Sequence, residues 1–151
     1  MEYEIINREE STAVGICART NNSAPDMGMK IGTLWNDFYS KGICESINGK
    51  KNGKALCMYT NYESDYNGDY DAVVSCEADE NATQPAELKK FTIPAGKYAK
   101  FIVKGHVQKA VMEFWQKLWE ENLDRSYKCD FEEYQNSDME NAEIHIYIGL
   151  K

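Results

Sequence analysis

The sequence predicts an α+β fold built as a tandem pseudo-twofold repeat of a β-β-α-β-β unit, with antiparallel sheets and two helices around a central groove. Three observations support this prediction: two apolar helical stripes with the same spacing, an alternating strand before each stripe, and two strand-like segments after it. A chain of 151 residues has the size of one ordinary domain. We therefore expect a single domain over residues 1–151, with pseudo-repeats at about 1–78 and 86–151.

Two apolar stripes predict the helices. Each has five residues spaced i, i+4, i+7, i+8 and i+11, which places them on one helix face. The two sets, 80 residues apart, are Met27, Ile31, Leu34, Trp35 and Phe38, and Val107, Val111, Phe114, Trp115 and Leu118. Pro25 suits a first helical turn and Gly42 suits a position just after a helix. The helices are therefore predicted near 25–41 and 106–122.

The predicted strands follow the same order in each half of the chain. A short opening strand is followed by a longer alternating strand, the helix, and two segments that form a hairpin with a polar connection. In the first half these strands are predicted at 3–7, 12–19, 56–59 and 70–76, and in the second at 89–93, 96–103, 131–134 and 144–148. The polar stretch 77–87 is predicted to link the halves.

Composition and charge exclude several classes of protein. The chain has 17 Lys and Arg against 25 Asp and Glu, a net charge of −8, which repels phosphate backbones and argues against direct nucleic-acid binding. No apolar run is long enough for a bilayer span, and no signal peptide is evident, so we expect no membrane partner and a cytoplasmic location. The charge suits a cationic or neutral small ligand.

The residues typical of metal sites and covalent catalysis are sparse. The five cysteines include no CxxC pair, and neither histidine has a metal-ligand spacing, so we expect free thiols, no metal and no cofactor. The chain has no phosphate-binding loop and no Ser-His-Asp arrangement. The sequence therefore assigns no catalytic residue.

Strand alternation at 129–135 indicates a candidate ligand site. Phe131 and Glu133 point to one face, while Glu132 and Tyr134 point to the other. If Phe131 packs under the helix, Glu132 and Tyr134 face the opposite side of the sheet, towards the other repeat. Tyr59 holds the matching position in the first half, beside Cys57. The alternatives remain open: Glu132 is a solvated strand residue, and the join between repeats is filled by side chains.

A carboxylate held among phenols in a groove has a raised pKa and favours a cation that restores the lost charge balance. Aromatic faces from Tyr59, Tyr134, Trp35 or Trp115 add cation–π attraction of about 0.5–2 kcal/mol each. A tryptophan on an amphipathic stripe is also typical of a core, so this reading stays open for Trp35 and Trp115. Trp119, at the edge of the second stripe, is assigned no role.

Several segments carry a resemblance that runs in order over nearly the whole chain: 19–22 with 34–38, 59–70, 93–98, 125–134 and 146–151. These segments resemble the GyrI-like family, most closely the integron-associated effector-binding proteins. The resemblance implies a duplicated α+β fold similar to the effector-binding domains of AraC-type and MerR-type regulators. It also implies a small, often cationic and aromatic ligand in the central groove.

The resemblance also implies roles for particular residues. The aromatic-Glu-x-Tyr motif at 131–134 makes Glu132 the acid that contacts the ligand, and the helix tryptophan of the family corresponds to Trp35. Many relatives begin the second helix with Gly-Pro-Tyr, whereas this chain has Gly105, His106 and Val107 and so lacks an aromatic at that groove edge. No helix-turn-helix segment is present, so we expect a sensor that acts alone, as a homodimer or with a partner regulator.

Three functions are consistent with these features. The first is a stand-alone binding protein for lipophilic, cationic aromatic molecules, with Glu132, Trp35, Tyr134, Tyr59 and Trp115 as ligand-binding residues. The second, implied by some GyrI-like proteins, is hydrolysis of strained cyclopropane-type alkylating compounds with the same Glu and Trp. The third is inhibition of a protein partner through an acidic surface, although the excess acidic residues are scattered.

Overall fold

The computed structural model describes residues 1–151 and contains eight strands and three helices. The strands are β1 (Glu4–Arg8), β2 (Ser11–Thr20), β3 (Lys50–Thr60), β4 (Tyr70–Ala78), β5 (Lys89–Ile93), β6 (Gly96–Gly105), β7 (Arg125–Tyr134) and β8 (Ala142–Leu150). The helices are α1 (Met27–Ser40), α2 (Ile43–Ser46) and α3 (Val107–Leu118). None of these helices has both the length and the apolar character needed to span a bilayer.

All eight strands form one antiparallel sheet in the order β1-β6-β8-β7-β3-β4-β2-β5. Exchanging each strand with its counterpart in the other half, β1 with β5, β2 with β6, β3 with β7 and β4 with β8, gives the same order read from the opposite edge. The halves meet at the sheet centre, where β3 pairs with β7. The predicted α+β class and central groove are confirmed, with one sheet rather than several, whereas the repeat boundaries near 78 and 86 stay a prediction.

The opening strand of each half pairs with the other half. β1 pairs with β6, and β5 pairs with β2. Only residues 9–10 connect β1 to β2, and only residues 94–95 connect β5 to β6, although each connection joins strands near opposite ends of the sheet order. Such short connections require the two ends to lie close together. The sheet is therefore curled like a half-barrel.

The curled sheet buries side chains on both of its faces. The inner cluster draws residues from β2 to β8 and none from a helix. On the outer face, α1 packs Leu34 and Phe38 into one cluster, and α3 packs Phe114 and Leu118 into another. Phe131 belongs to the inner cluster, with its ring stacked 4.5 Å from that of Tyr147. The condition that Phe131 packs under the helix is therefore not met, because the helices cover the opposite face.

The helix predictions are correct in position and differ at the ends. α1 lies inside the predicted range 25–41, whereas α3 stops four residues before the predicted end at 122. The backbone N–H groups of Glu120 and Glu121 bond to carbonyls three residues back, a pattern typical of a tightened last turn. The four-residue α2 was not predicted, because a single turn is too short to show helical periodicity.

Gly15 lies in β2 where no side chain can be accommodated. A Cβ atom there would lie 2.0 Å from the Val74 carbonyl oxygen and 2.7 Å from Ser75 Cα, both in the backbone of β4. We expect Gly15→Ala to lower the free energy of unfolding by about 2–3 kcal/mol, measured by urea denaturation. Gly28→Ala is the control because its Cβ would meet nothing within 4 Å. An unchanged unfolding midpoint for Gly15→Ala would contradict the close strand contact.

Candidate functional site

A cavity of about 1150 Å³ lies between α1, α3 and the outer face of the sheet. Of the 28 residues that line it, 16 are hydrophobic, and both halves of the chain contribute. A cavity of this size accommodates a drug-sized ligand. The join between the halves is therefore an open groove, and the alternative that side chains fill it is excluded.

Glu132 is buried in the cavity wall, at the centre of the sheet. It lies on β7 opposite Cys57 of β3, in the strand pair that joins the two halves. Only 1% of Glu132 is exposed, so the alternative of a solvated strand residue is wrong. The alternation of β7 places Glu132 and Tyr134 in the cavity lining and Phe131 in the inner cluster, as the strand pattern predicts.

Three neutral donors hold the Glu132 carboxylate. The Tyr134 hydroxyl donates to Oε1 at 2.7 Å, while the Trp115 indole Nε1 and the Tyr59 hydroxyl donate to Oε2 at 2.7 and 2.9 Å. No lysine, arginine or histidine forms an ion pair with Glu132 in the structure. The carboxylate is thus fixed by hydrogen bonds, with no cation of the protein to balance its charge.

Burial determines how the groups around Glu132 titrate. It raises the pKa of the Glu132 carboxyl above its ordinary value, and the hydrogen bonds from Tyr134, Trp115 and Tyr59 offset part of that rise. Burial also raises the pKa of the Tyr59 and Tyr134 hydroxyls and of the Cys57 thiol well above their ordinary values. The phenols and the thiol therefore stay neutral, and Glu132 is the group of this cluster that changes charge.

The five ligand-binding residues predicted from the sequence all line the cavity. The indole of Trp115 contacts the carboxylate directly and packs edge-on against Tyr59 at 5.3 Å. Trp35 reaches the carboxylate only through Tyr134, whose ring lies 5.0 Å away. Trp35 and Trp115 thus occupy equivalent places in α1 and α3, but only the second is bonded to Glu132. Their roles in binding stay predictions.

Sequence reasoning missed several residues of the lining. Trp119 lies at the cavity wall, four residues after Trp115, a spacing that places both on the same helix face. Val107, which the sequence analysis placed at the groove edge, also lines the wall, so that edge is aliphatic. Tyr62 and Tyr70 were also missed because each lies at or beyond the end of a strand, where alternation gives no clear signal.

A second polar cluster lies on the same strand, where Asp130 comes two residues before Glu132. Arg125 Nη2 donates to Asp130 Oδ2 at 2.7 Å, and both side chains are buried. Asp130 also accepts hydrogen bonds from the Tyr62 hydroxyl at 2.6 Å and from the Gly149 backbone N–H at 2.9 Å. Arg125 and Tyr62 belong to the cavity lining, so the cavity touches this buried ion pair as well as Glu132.

Comparison with known proteins identifies relatives of the whole chain. The family profile of the Cass2 integron-associated effector binding proteins matches residues 4–150. YobU, a candidate transcriptional regulator of Bacillus subtilis (strain 168), is 26% identical over 144 residues, covering 91% of this chain and 90% of YobU.

Two solved structures share the fold over nearly their full length. The integron cassette protein VCH_CASS2, from the mobile metagenome of Vibrio cholerae, has a TM-score of 0.80 and 27% identity, covering 99% of this chain and 95% of its own. SAV2435, solved bound to tetraphenylphosphonium, has a TM-score of 0.83 and 24% identity, covering 100% of this chain and 94% of its own. The chain therefore belongs to the Cass2 family of integron-associated effector-binding proteins.

Proposed function

We propose that this protein binds lipophilic, cationic aromatic molecules, with Glu132 as the balancing negative charge. One feature of the cavity supports this function above all others: a buried carboxylate, held by three neutral donors and by no cation, in the wall of a large aromatic cavity. Tetraphenylphosphonium, to which the related SAV2435 is bound in its solved structure, is a lipophilic aromatic cation of this kind. The proposal covers binding by this chain alone, and a homodimer or partner regulator stays a prediction.

Electrostatics and hydration explain why such a ligand fits. A buried anion without a partner is costly, and a cation in the same cavity recovers part of that cost. A lipophilic cation spreads its charge over aromatic groups and therefore loses little hydration on entry. Rings such as Tyr59, Tyr134 and Trp115 around the carboxylate add cation–π attraction of about 0.5–2 kcal/mol each.

A pair of probes that share a shape but differ in the sign of their charge tests the proposal. Tetraphenylphosphonium and tetraphenylborate have nearly the same shape and hydrophobicity, so a difference in their affinities reports the sign of the charge. All three tryptophans line the cavity, so quenching of intrinsic fluorescence reports binding. We expect the cation to bind at least about 100-fold more tightly than the anion. Equal affinity for both probes would exclude a charge-selective site.

The affinity for tetraphenylphosphonium is expected to fall on acidification. Because the pKa of Glu132 is raised above 4.5, the carboxylate takes up a proton as the pH is lowered through that raised value. The protonated form has no charge for the cation, so binding and protonation compete, and binding releases a proton. Titrations from about pH 8 to about pH 4, a range that extends below the ordinary glutamate pKa, test this. A flat profile in the wild type would contradict it, and Asp138→Asn at the exposed rim is the control for a nearby carboxylate.

The hydrolytic alternative uses the same carboxylate as a general base. A carboxylate has about four lone-pair positions, and three of them at Glu132 already accept hydrogen bonds from the protein. We infer binding rather than hydrolysis, because little acceptor capacity remains for activating a water molecule. Incubation with a cyclopropane-containing alkylating compound, followed by mass spectrometry, is expected to yield no more ring-opened hydrate than buffer. Turnover that Glu132→Gln abolishes would overturn this choice.

A further inference from the structure

We propose that the cavity contains a second polar subsite, at Arg125, that takes a neutral hydrogen-bond acceptor such as a carbonyl oxygen on the far end of a cationic ligand. The proposal rests on the cation-binding function above and narrows its ligand class. The ligand it describes is an aromatic cation that also carries a ketone, ester or amide oxygen away from its charged centre.

Arg125 has hydrogen-bond donors that the protein does not use. Its guanidinium carries five N–H groups and makes one side-chain hydrogen bond, to Asp130. Only 7% of Arg125 is exposed. Nε is completely buried and has no partner, whereas Nη1 also has no hydrogen-bond partner but remains accessible. The side chain is nevertheless part of the cavity lining. An arginine that is nine-tenths buried, unsatisfied and in the wall of a ligand cavity is suited to donate to a ligand.

The guanidinium is held rigidly, so its donors have a fixed direction. Its planar group lies over the Tyr127 ring, with Cζ 4.4 Å from the ring centroid. Asp130, which is fully buried, accepts a hydrogen bond from one end of the guanidinium. Hydrogen bonds from Tyr62 and the Gly149 N–H hold Asp130 itself in place. A donor that is already oriented loses little conformational freedom when a ligand binds.

Charge balance favours a neutral acceptor over an anion. Asp130 already neutralises Arg125, so the pair carries no net charge into the cavity wall. A ligand carboxylate would have to shed its hydration and would lie beside Asp130 without a second cation to balance it. A carbonyl oxygen sheds far less hydration and still accepts from an ionised donor. The unused N–H groups therefore select for a carbonyl.

A row of tyrosine rings in mutual contact connects the two subsites. The ring centroid of Tyr62 lies 5.8 Å from that of Tyr127 and 5.6 Å from that of Tyr70. The centroids of Tyr70 and Tyr59 are 5.7 Å apart. Tyr59 in turn donates to Glu132. Arg125 and Glu132 thus lie at opposite ends of this row, and three of its rings line the cavity. A ligand that contacts both ends spans the row, with its positive charge at Glu132.

Triphenylphosphonium cations with an alkyl arm test the subsite. In one series the arm ends in a methyl ketone, and in the other it ends in an isopropenyl group of the same shape without the oxygen. Arms of increasing length are compared in the wild-type protein by fluorescence quenching. We expect the ketone to bind about tenfold more tightly than the hydrocarbon at one optimal length, and equally at the shortest arms. A third series ending in a carboxylate is expected to bind more weakly than the ketone.

Protein variants assign the effect to Arg125. Arg125→Lys keeps the positive charge beside Asp130 and removes the planar guanidinium. The ratio of the Kd of the hydrocarbon to the Kd of the ketone is therefore expected to fall to about one. Arg8→Lys is the matched control, because the Arg8 guanidinium also stacks on aromatic rings, Phe131 and Tyr147 of the inner cluster, away from the cavity. The preference for the ketone is expected to persist in Arg8→Lys.

The outcomes distinguish the Arg125 subsite from the cation-binding function on which it rests. If ketone and hydrocarbon arms bind equally at every length while tetraphenylphosphonium still binds, the subsite is wrong and the cation site stands. If the carboxylate arm binds most tightly, the choice of a neutral acceptor is wrong. If none of these cations binds, both proposals fail. The wild-type comparison needs no variant, so a folding defect in Arg125→Lys cannot obscure the result.

Discussion

Glu132→Gln is expected to weaken tetraphenylphosphonium binding by about 30- to 100-fold. Glutamine keeps the shape of the side chain and removes the charge that balances the cation. No other acidic side chain of the lining is buried, so nothing compensates for the loss. The three donors around the position remain in place. Fluorescence titration at neutral pH measures the change, and urea denaturation verifies that the variant is folded.

The neighbouring glutamate supplies the matched control for this variant. Glu133 is next to Glu132 on β7 and is 8% exposed, but it lies outside the cavity lining and bonds to Gln135. Glu133→Gln makes the same change in net charge and is expected to leave the affinity for tetraphenylphosphonium unchanged. Equal losses in both variants would indicate a general effect of the acidic surface. Wild-type affinity in Glu132→Gln would show that this carboxylate does not bind the cation.

Asp130→Asn is expected to lower the free energy of unfolding by about 3–5 kcal/mol, the largest stability effect of the variants considered. Asp130 is fully buried and accepts hydrogen bonds from Arg125, Tyr62 and the Gly149 backbone. Asparagine leaves the buried guanidinium without a balancing anion and places an amide where the carboxylate accepts hydrogen bonds. Equilibrium unfolding in urea measures the difference.

An ion pair at the surface provides the control for the buried one. Arg19 Nη1 lies 3.3 Å from Asp71 Oδ1, but 45% of the Arg19 side chain and 20% of the Asp71 side chain are exposed. Water and salt screen such a pair, so Asp71→Asn is expected to cost about 0–1 kcal/mol. A cost below about 1 kcal/mol for Asp130→Asn as well would mean that the buried pair is not a major source of stability.

The helices, the strands and the core of the site could be predicted from periodicity. Glu132, Tyr134 and Tyr59 were found because β3 and β7 are regular where they pair, so alternation assigns their faces correctly. The five-residue stripes located α1 and α3 because each helix presents one apolar side to the rest of the protein. These features depend on local spacing, which the sequence contains in full.

Features that depend on the global shape of the sheet could not be predicted in this way. Alternation places Phe131 and Glu132 on opposite faces, but it does not say which face the helices cover. Both faces are buried in a curled sheet, so both carry apolar residues and the usual contrast between core and solvent is absent. The position assumed for Phe131 was wrong for this reason.

Arg125 was missed because an irregularity in β7 changes the alternation. Regular alternation puts residues 125 and 130 on opposite faces, yet their side chains form an ion pair. Between these residues β7 advances five positions while its partner β8 advances two, from Leu150 to Ile148. Tyr127 adopts a left-handed conformation there, with φ +54°, which non-glycine residues rarely do. No feature of the sequence predicts this bulge.

The two-residue connections that bring the ends of the sheet together have a consequence for ligand exchange. A hinge that parted the two halves would have to break the central strand pair and both exchanged edge pairs at once. That is a much larger loss of backbone hydrogen bonds than lifting a helix from the outer face. The sheet therefore forms a rigid wall of the cavity. For the proposed ligand, we expect α1, α3 and the polar segment 135–141 to control entry, release and residence time.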